Sequence, residues 1–200
     1  MRILLAYGSS YGSTARIAER MADRMRRFGA TVLASDVSRL RYDVDPRDFD
    51  AVLVGGRVHG NRYPRRVMRF LRRHRDALQT RPSGFFSVSL MQLSPDPATR
   101  AQTESLPARM AERLQWVPDR IFVVAGALPW SRYGFLGRTI MKAFWQRVFT
   151  EPIDTSRDQV LTDWPQVDRF ADDFLRLAVE RTRGNAWSPA TRQEPAHAAS

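Results

Sequence analysis

The segment Gly8-Ser9-Ser10-Tyr11-Gly12-Ser13-Thr14 collects hydroxyls, glycine and free backbone amides where an apolar run ends and a helical pattern begins. Amides at a helix N-terminus hold anions, and phosphate is the commonest guest. Gly12 lets the chain approach the oxygens closely. The Gly-Lys-Ser/Thr ending of a P-loop is missing, and so is the dinucleotide pattern Gly-x-Gly-x-x-Gly. No lysine or arginine lies in the loop, so neutral donors would hold the phosphate. A simple capped turn, with Ser13 or Thr14 as the helix cap, accounts for the same residues.

Three later loops carry further candidates. Arg57-Val58-His59-Gly60 follows the third apolar run, and Gly60-Asn61 suggests a tight turn. Histidine titrates near neutral pH, which makes His59 a candidate proton shuttle. Ordinary solvated loop residues are the alternative for both Arg57 and His59. Ser87, Val88, Ser89 and Leu90 close the fourth run, and Met91 follows. After the fifth, the small residues Ala125, Gly126 and Ala127 would let the backbone pass close to a ligand, or simply form a tight strand exit.

The elements that must position these loops alternate strand and helix. Apolar runs at Arg2–Tyr7, Ala30–Ala34, Ala51–Val54, Gly84–Leu90 and Arg120–Ala125 read as buried strands. Helical periodicity is expected over Thr14–Phe28 (Ile17, Met21 and Met25 inward), Pro64–Leu78, Asp96–Leu114 and about Pro165–Thr182. Five such runs separated by helices imply a parallel, doubly wound α/β sheet. Ligands in such folds sit beyond the carboxyl ends of the strands, where all four candidate loops lie. The tail 183–200 is rich in Gly, Pro, Ala and Ser and is expected to be disordered, leaving one domain over 1–182.

Composition narrows the classes. The 200 residues are 43% hydrophobic and 26% charged, ordinary for a globular chain. No uncharged stretch approaches the roughly 18–20 residues that span a bilayer, and no signal peptide is visible. Cysteine is absent, which excludes disulfides and thiolate sites, and three histidines without ligand spacing argue against a metal. The net charge of +11 favours an anionic partner. Nine arginines and a single acid, Asp76, fall in residues 57–81; a solvated helix face or an anionic surface partner explains them. Nucleic-acid motifs are missing, so nucleic acid is not expected.

The first loop resembles the flavodoxin phosphate loop, which holds the phosphate of FMN without counter-charges. Phe86-Ser87-Val88-Ser89-Leu90, Trp116-Val117-Pro118-Asp119, Ala125-Gly126-Ala127-Leu128 and Thr162-Asp163-Trp164 resemble the bacterial menaquinone-dependent protoporphyrinogen IX dehydrogenases, in order over about residues 1–180. That resemblance implies a flavodoxin-like five-stranded sheet of order 2-1-3-4-5 with an insertion after strand five, at about 129–160. FMN would be held by Ser9–Thr14 (Ser9, Ser10, Tyr11, Gly12, Ser13 and Thr14), by Arg57–Gly60, by Ser87–Leu90 and by Ala125–Ala127. A backbone amide near Gly60 would bond the flavin N5. The implied reaction oxidises protoporphyrinogen IX, in haem biosynthesis, and passes electrons to menaquinone or ubiquinone. A flavodoxin-type electron carrier, an NAD(P)H:quinone reductase and a basic binding module that has lost its flavin are the alternatives.

The insertion carries Phe135, Leu136, Ile140, Met141, Phe144, Trp145, Val148 and Phe149 among Arg138, Lys142 and Arg147. Such a helix suits a membrane interface or the packing of a core. Trp130, Arg132 and Tyr133 lead into it, and with Arg57 they are candidate contacts for a planar substrate bearing propionates. A cytoplasmic enzyme, peripheral on an anionic inner-membrane surface, is the expected setting.

Overall fold

The computed structural model describes residues 1–9, 11–38, 44–128, 130–132, 134–149 and 154–186. Five parallel strands, β1 (Arg2–Gly8), β2 (Thr31–Asp36), β3 (Ala51–Arg57), β4 (Ser83–Val88) and β5 (Arg120–Val124), form one sheet in the order β2-β1-β3-β4-β5. This is the expected order. The central strands β1, β3 and β4 are buried almost throughout, which is why they read as unbroken apolar runs rather than as alternation.

Each face of the sheet has its own core. On one side lie α1 (Ser13–Arg27) and the last helix, α6 (Trp164–Ala186), which pack Ile17, Met21, Met25, Val167 and Phe174 against Ile3, Leu5 and Phe86. Two bidentate ion pairs strap these helices together: Arg20 to Asp168 at 2.8 and 2.7 Å, and Arg24 to Asp172 at 2.8 Å through both nitrogens. On the other side, α2 (Arg65–Arg73), α3 (Arg75–Thr80) and α4 (Pro97–Arg113) cover Leu4, Val52 and Phe85 with Val67, Leu71, Leu78 and Met110. The Asp96 carboxylate caps α4 by accepting from the Ala98 and Thr99 amides, at 3.2 and 2.9 Å, and Pro97 opens the first turn.

Several boundaries differ from expectation. The helix expected over Pro64–Leu78 is two, because His74 leaves helical geometry (φ −109°, ψ 15°) between α2 and α3. Strand β4 ends at Val88, and 90–93 form a 3-10 turn. A small antiparallel pair, β6 (Ala127–Leu128) with β7 (Gln159–Val160), brackets helix α5 (Phe135–Val148). A third core of Leu128, Trp130, Trp145 and Phe149 sits beneath that helix. Helix α6 runs through Ala186, four residues past Thr182; residues 187–200 lie outside the described residues.

One contact fixes the sheet's centre. A side chain on Gly55 would overlap the ring of Phe86 on the neighbouring strand, so β3 passes β4 there only as glycine.

Candidate functional site

Strand β1 delivers the chain to the first loop, and α1 leaves it. The helix N-cap is Gly12 at φ +93°, a left-handed conformation suited to glycine. Among the described residues no side chain caps the helix, so neither Ser13 nor Thr14 plays the role that a simple capped turn requires. Instead the Gly12 amide donates back to Ser9 Oγ at 3.1 Å, folding the loop on itself. The Thr14 side chain is buried, and among the described residues its Oγ1 has no hydrogen-bond partner. A buried polar group left unpaired costs about 1–3 kcal/mol. An N-terminus without a side-chain cap, a left-handed glycine and a leftover hydroxyl together fit a phosphate group held by neutral donors. Arg66 of α2 donates to the Ser38 carbonyl, and Ser38 Oγ donates to the Ser9 carbonyl at 3.5 Å, which links α2 to this loop through Ser38.

Beside the loop is a cavity of about 270 Å³. Four segments meet there: Tyr11 from the first loop and Ser13 at the start of α1, Arg57 at the end of β3 with Val58 and His59, Val88 at the end of β4 with Leu90, and Gly126 and Ala127 after β5. All nine were expected at a shared site. Backbone bonds hold the loops in register, from Val58 N–H to the Val88 carbonyl at 2.8 Å and from Ser89 N–H to the Val124 carbonyl at 3.0 Å. A Cβ on Gly126 would stand 2.9 Å from Val88 Cγ1 and 3.4 Å from Ser13 Oγ, so this loop approaches the first one closely. The Arg57 guanidinium lies over the Tyr11 ring, 5.0 Å from its centroid. His59 and Arg62 exchange backbone bonds of 3.0 and 3.1 Å around Gly60 (φ +54°) and Asn61 (φ +57°), the tight turn expected.

Other candidates are placed elsewhere. Ser87 is fully buried, and the Tyr63 hydroxyl donates to its Oγ at 3.0 Å. Burial pushes the Tyr63 phenol up to about 12, so it stays protonated. Ser87 thus faces the core behind the site rather than the cavity. Ser89 Oγ accepts from the Met91 amide at 3.2 Å and caps the 3-10 turn. The Ala125 carbonyl accepts from Thr162 Oγ1 at 3.0 Å. Trp130, expected at a substrate mouth, is completely buried in the third core, because the apolar underside of α5 covers it. Ser10 and Tyr133 lie outside the described residues, as does the side chain of Arg132.

The cavity's remaining wall comes from Gly137, Ile140 and Met141 of α5, which were not expected as site residues. A larger hollow of about 450 Å³ opens at the other end of the strands, around Phe49 and Pro82. There Arg81 is tied to the carbonyls of Phe49 and Arg47, at 3.1 Å each, and acts as a strap between segments.

The flavodoxin domain family matches residues 4–151. A protein of Escherichia coli strain K12 named protoporphyrinogen IX dehydrogenase [quinone] is 30% identical over 91% of this chain and 99% of its own length. A Leishmania major protein of the same name is 28% identical over 89% of this chain and 76% of its own. Among solved structures, oxidised flavodoxin 1 of Bacillus cereus superposes with a TM-score of 0.54 at 13% identity, covering 88% of this chain and 98% of that one. With its sheet order, its first loop and these matches, the chain belongs to the flavodoxin-domain family that includes the quinone-dependent protoporphyrinogen IX dehydrogenases.

Proposed function

We propose that this protein is an FMN-dependent oxidoreductase that dehydrogenates protoporphyrinogen IX and passes the electrons to a respiratory quinone, menaquinone or ubiquinone. The carrying observation is the convergence of four loops on one cavity beside a helix N-terminus whose buried Thr14 hydroxyl lacks a partner. The Escherichia coli relative, matched over 99% of its length, supports the substrate class. When bound, FMN supplies the redox chemistry. The chain supplies the rest. The α1 N-terminus, Thr14 and the Gly12 turn take the phosphate. Val58, Val88, Gly126 and Ala127 shape the ring's surroundings. Arg57, a cation on the cavity wall, pairs with a propionate of the tetrapyrrole.

The test is an absorbance spectrum of the purified protein, followed by anaerobic addition of protoporphyrinogen IX. A flavin spectrum that bleaches as porphyrin fluorescence grows, and recovers on adding quinone, supports the reading. A protein without flavin, or a bound flavin that porphyrinogen leaves oxidised, overturns it. In the second case a flavodoxin-type carrier takes its place.

Among the described residues, no helix is long and apolar enough to cross a membrane. Helix α5 nevertheless exposes Phe135 (90% accessible) and Phe144 beside Arg138, Lys142 and Arg147. This combination supports a peripheral seat on an anionic membrane, where a lipophilic quinone is found. Sedimentation with anionic vesicles at low salt, reversed at high salt, is the expected result; no sedimentation at low salt removes the membrane partner.

A further inference from the structure

We infer that the inner face of helix α5 is the wall on which the substrate's ring system lies, with the gap at Gly137 as the point of closest approach. The inference rests on the proposed reaction and assigns that reaction's ring-binding surface to three residues. Gly137, Ile140 and Met141 are spaced i, i+3 and i+4, so they share one side of the helix, and all three line the cavity. They face the four loops proposed to hold the cofactor.

Glycine is a poorer helix former than alanine, and here it is the third residue of a 14-residue helix. Its missing side chain leaves bare backbone on the cavity wall, which suits the close approach of a flat ring. Gly137 sits on the side of the cavity opposite the four loops proposed to hold the cofactor, so a side chain added there enlarges the α5 wall.

The wall is braced from behind. Trp145 and Phe149 stack with centroids 4.0 Å apart and bury themselves with Leu128 and Trp130, while Met141 and Val148 pack against that core. Arg138 donates to the Thr155 carbonyl at 2.6 Å, tying the first turn of α5 to the return segment. Phe144, one turn beyond Ile140, carries the apolar strip outward toward solvent. Such a surface, flat at Gly137 and apolar along Ile140 and Phe144, selects a large planar apolar ring over a small polar electron donor.

The experiment uses the flavin-loaded protein and two variants, Gly137→Leu, which adds a side chain at the bare backbone, and Ile140→Asp, which charges the strip at a residue 58% exposed. Binding of protoporphyrin IX, followed by its fluorescence, should weaken at least tenfold in each. The KM for protoporphyrinogen IX should rise as much, while FMN affinity and flavin reduction by dithionite stay within twofold of wild type. Porphyrin binding unchanged in both variants overturns the wall. So does an equal loss of porphyrin and FMN in Ile140→Asp, because the residue then serves the cofactor or the fold. If the wild type does not oxidise porphyrinogen, the proposed reaction fails on its own; the wall then stands only if flavin reoxidation by menadione slows tenfold in both variants.

Discussion

The guanidinium of Arg57 sits 5.0 Å from the centroid of the Tyr11 ring, joining the end of β3 to the loop after β1 across the cavity mouth. The two side chains are one wall, since the cation holds the ring in place and the ring holds the cation at the opening. Arg57→Gln should raise the KM for protoporphyrinogen about tenfold, as expected for one lost charge-assisted carboxylate contact of roughly 1.5–3 kcal/mol. Tyr11→Leu frees the arginine and should give part of the same loss. In steady-state kinetics the double variant should fall well short of the product of the single effects. Fully multiplicative losses would mean that the residues act separately.

Thr14 makes a prediction of opposite signs. Thr14→Val removes the buried, unpartnered hydroxyl while keeping the shape of the side chain. The flavin-free protein should melt no lower than wild type. FMN should bind more weakly by about 1–2 kcal/mol, roughly five- to thirtyfold. Gly12→Val should cost more, because its φ of +93° excludes a β-branched residue. Calorimetric titration of stripped protein reads both, and unchanged FMN affinity in the two variants would remove the phosphate assignment.

Much of this was legible because buried parallel strands announce themselves as short apolar runs, and because loop residues such as Gly12 and Gly126 have few uses except at a turn or a close approach. Facts set by distant partners were not legible. Ser87 looked available until Tyr63, 24 residues earlier in the chain, was found bonded to it. Trp130 looked like a mouth residue because nothing in its neighbourhood shows that α5 folds back over it. Helix α5 is apolar on several sides, so periodicity alone could not separate its core-facing Trp145 from its cavity-facing Ile140. A lone glycine at 137 adds no periodic signal.

The α1–α6 strap gives a pH dependence. Hydrogen bonds from Arg20 chiefly hold the Asp168 carboxyl below the usual carboxylate range, against the opposing effect of its partial burial. A carboxyl lowered in the folded state stabilises the fold above its unfolded value of about 4, and that stabilisation disappears as pH falls through the lower folded value. Asp168→Asn should therefore lower Tm at pH 7 by no more than about 4 °C. The gap should close in acid, below about pH 4. Melting curves of both proteins across pH 2–7 check this.

The third core predicts a separable loss. Trp145→Ala empties the stacked pair beneath α5, where large-to-small aromatic changes cost about 3–5 kcal/mol. The damage should stay local, because Leu128, Trp130, Trp145 and Phe149 form a cluster distinct from both cores of the sheet. Limited proteolysis should cut within 129–160 at least tenfold faster, and porphyrinogen oxidation should fall. FMN affinity should hold within about threefold. Loss of FMN together with activity would show that α5 supports the cofactor loops as well.

Gly55 and Phe86 leave a mark that an evolving lineage cannot avoid. Because the ring occupies the space where a side chain at 55 would sit, neither position can drift alone. Enlarging 55 collides with the ring, and shrinking 86 opens a void in the middle of the sheet, next to the strand ends that carry Arg57 and Val88. In a deep mutational scan, position 55 would reject nearly every single substitution. Alanine there should be recovered only in genotypes that carry a smaller residue at 86, so the two sites would be inherited as a linked pair, with a fitness valley between one packing solution and the next.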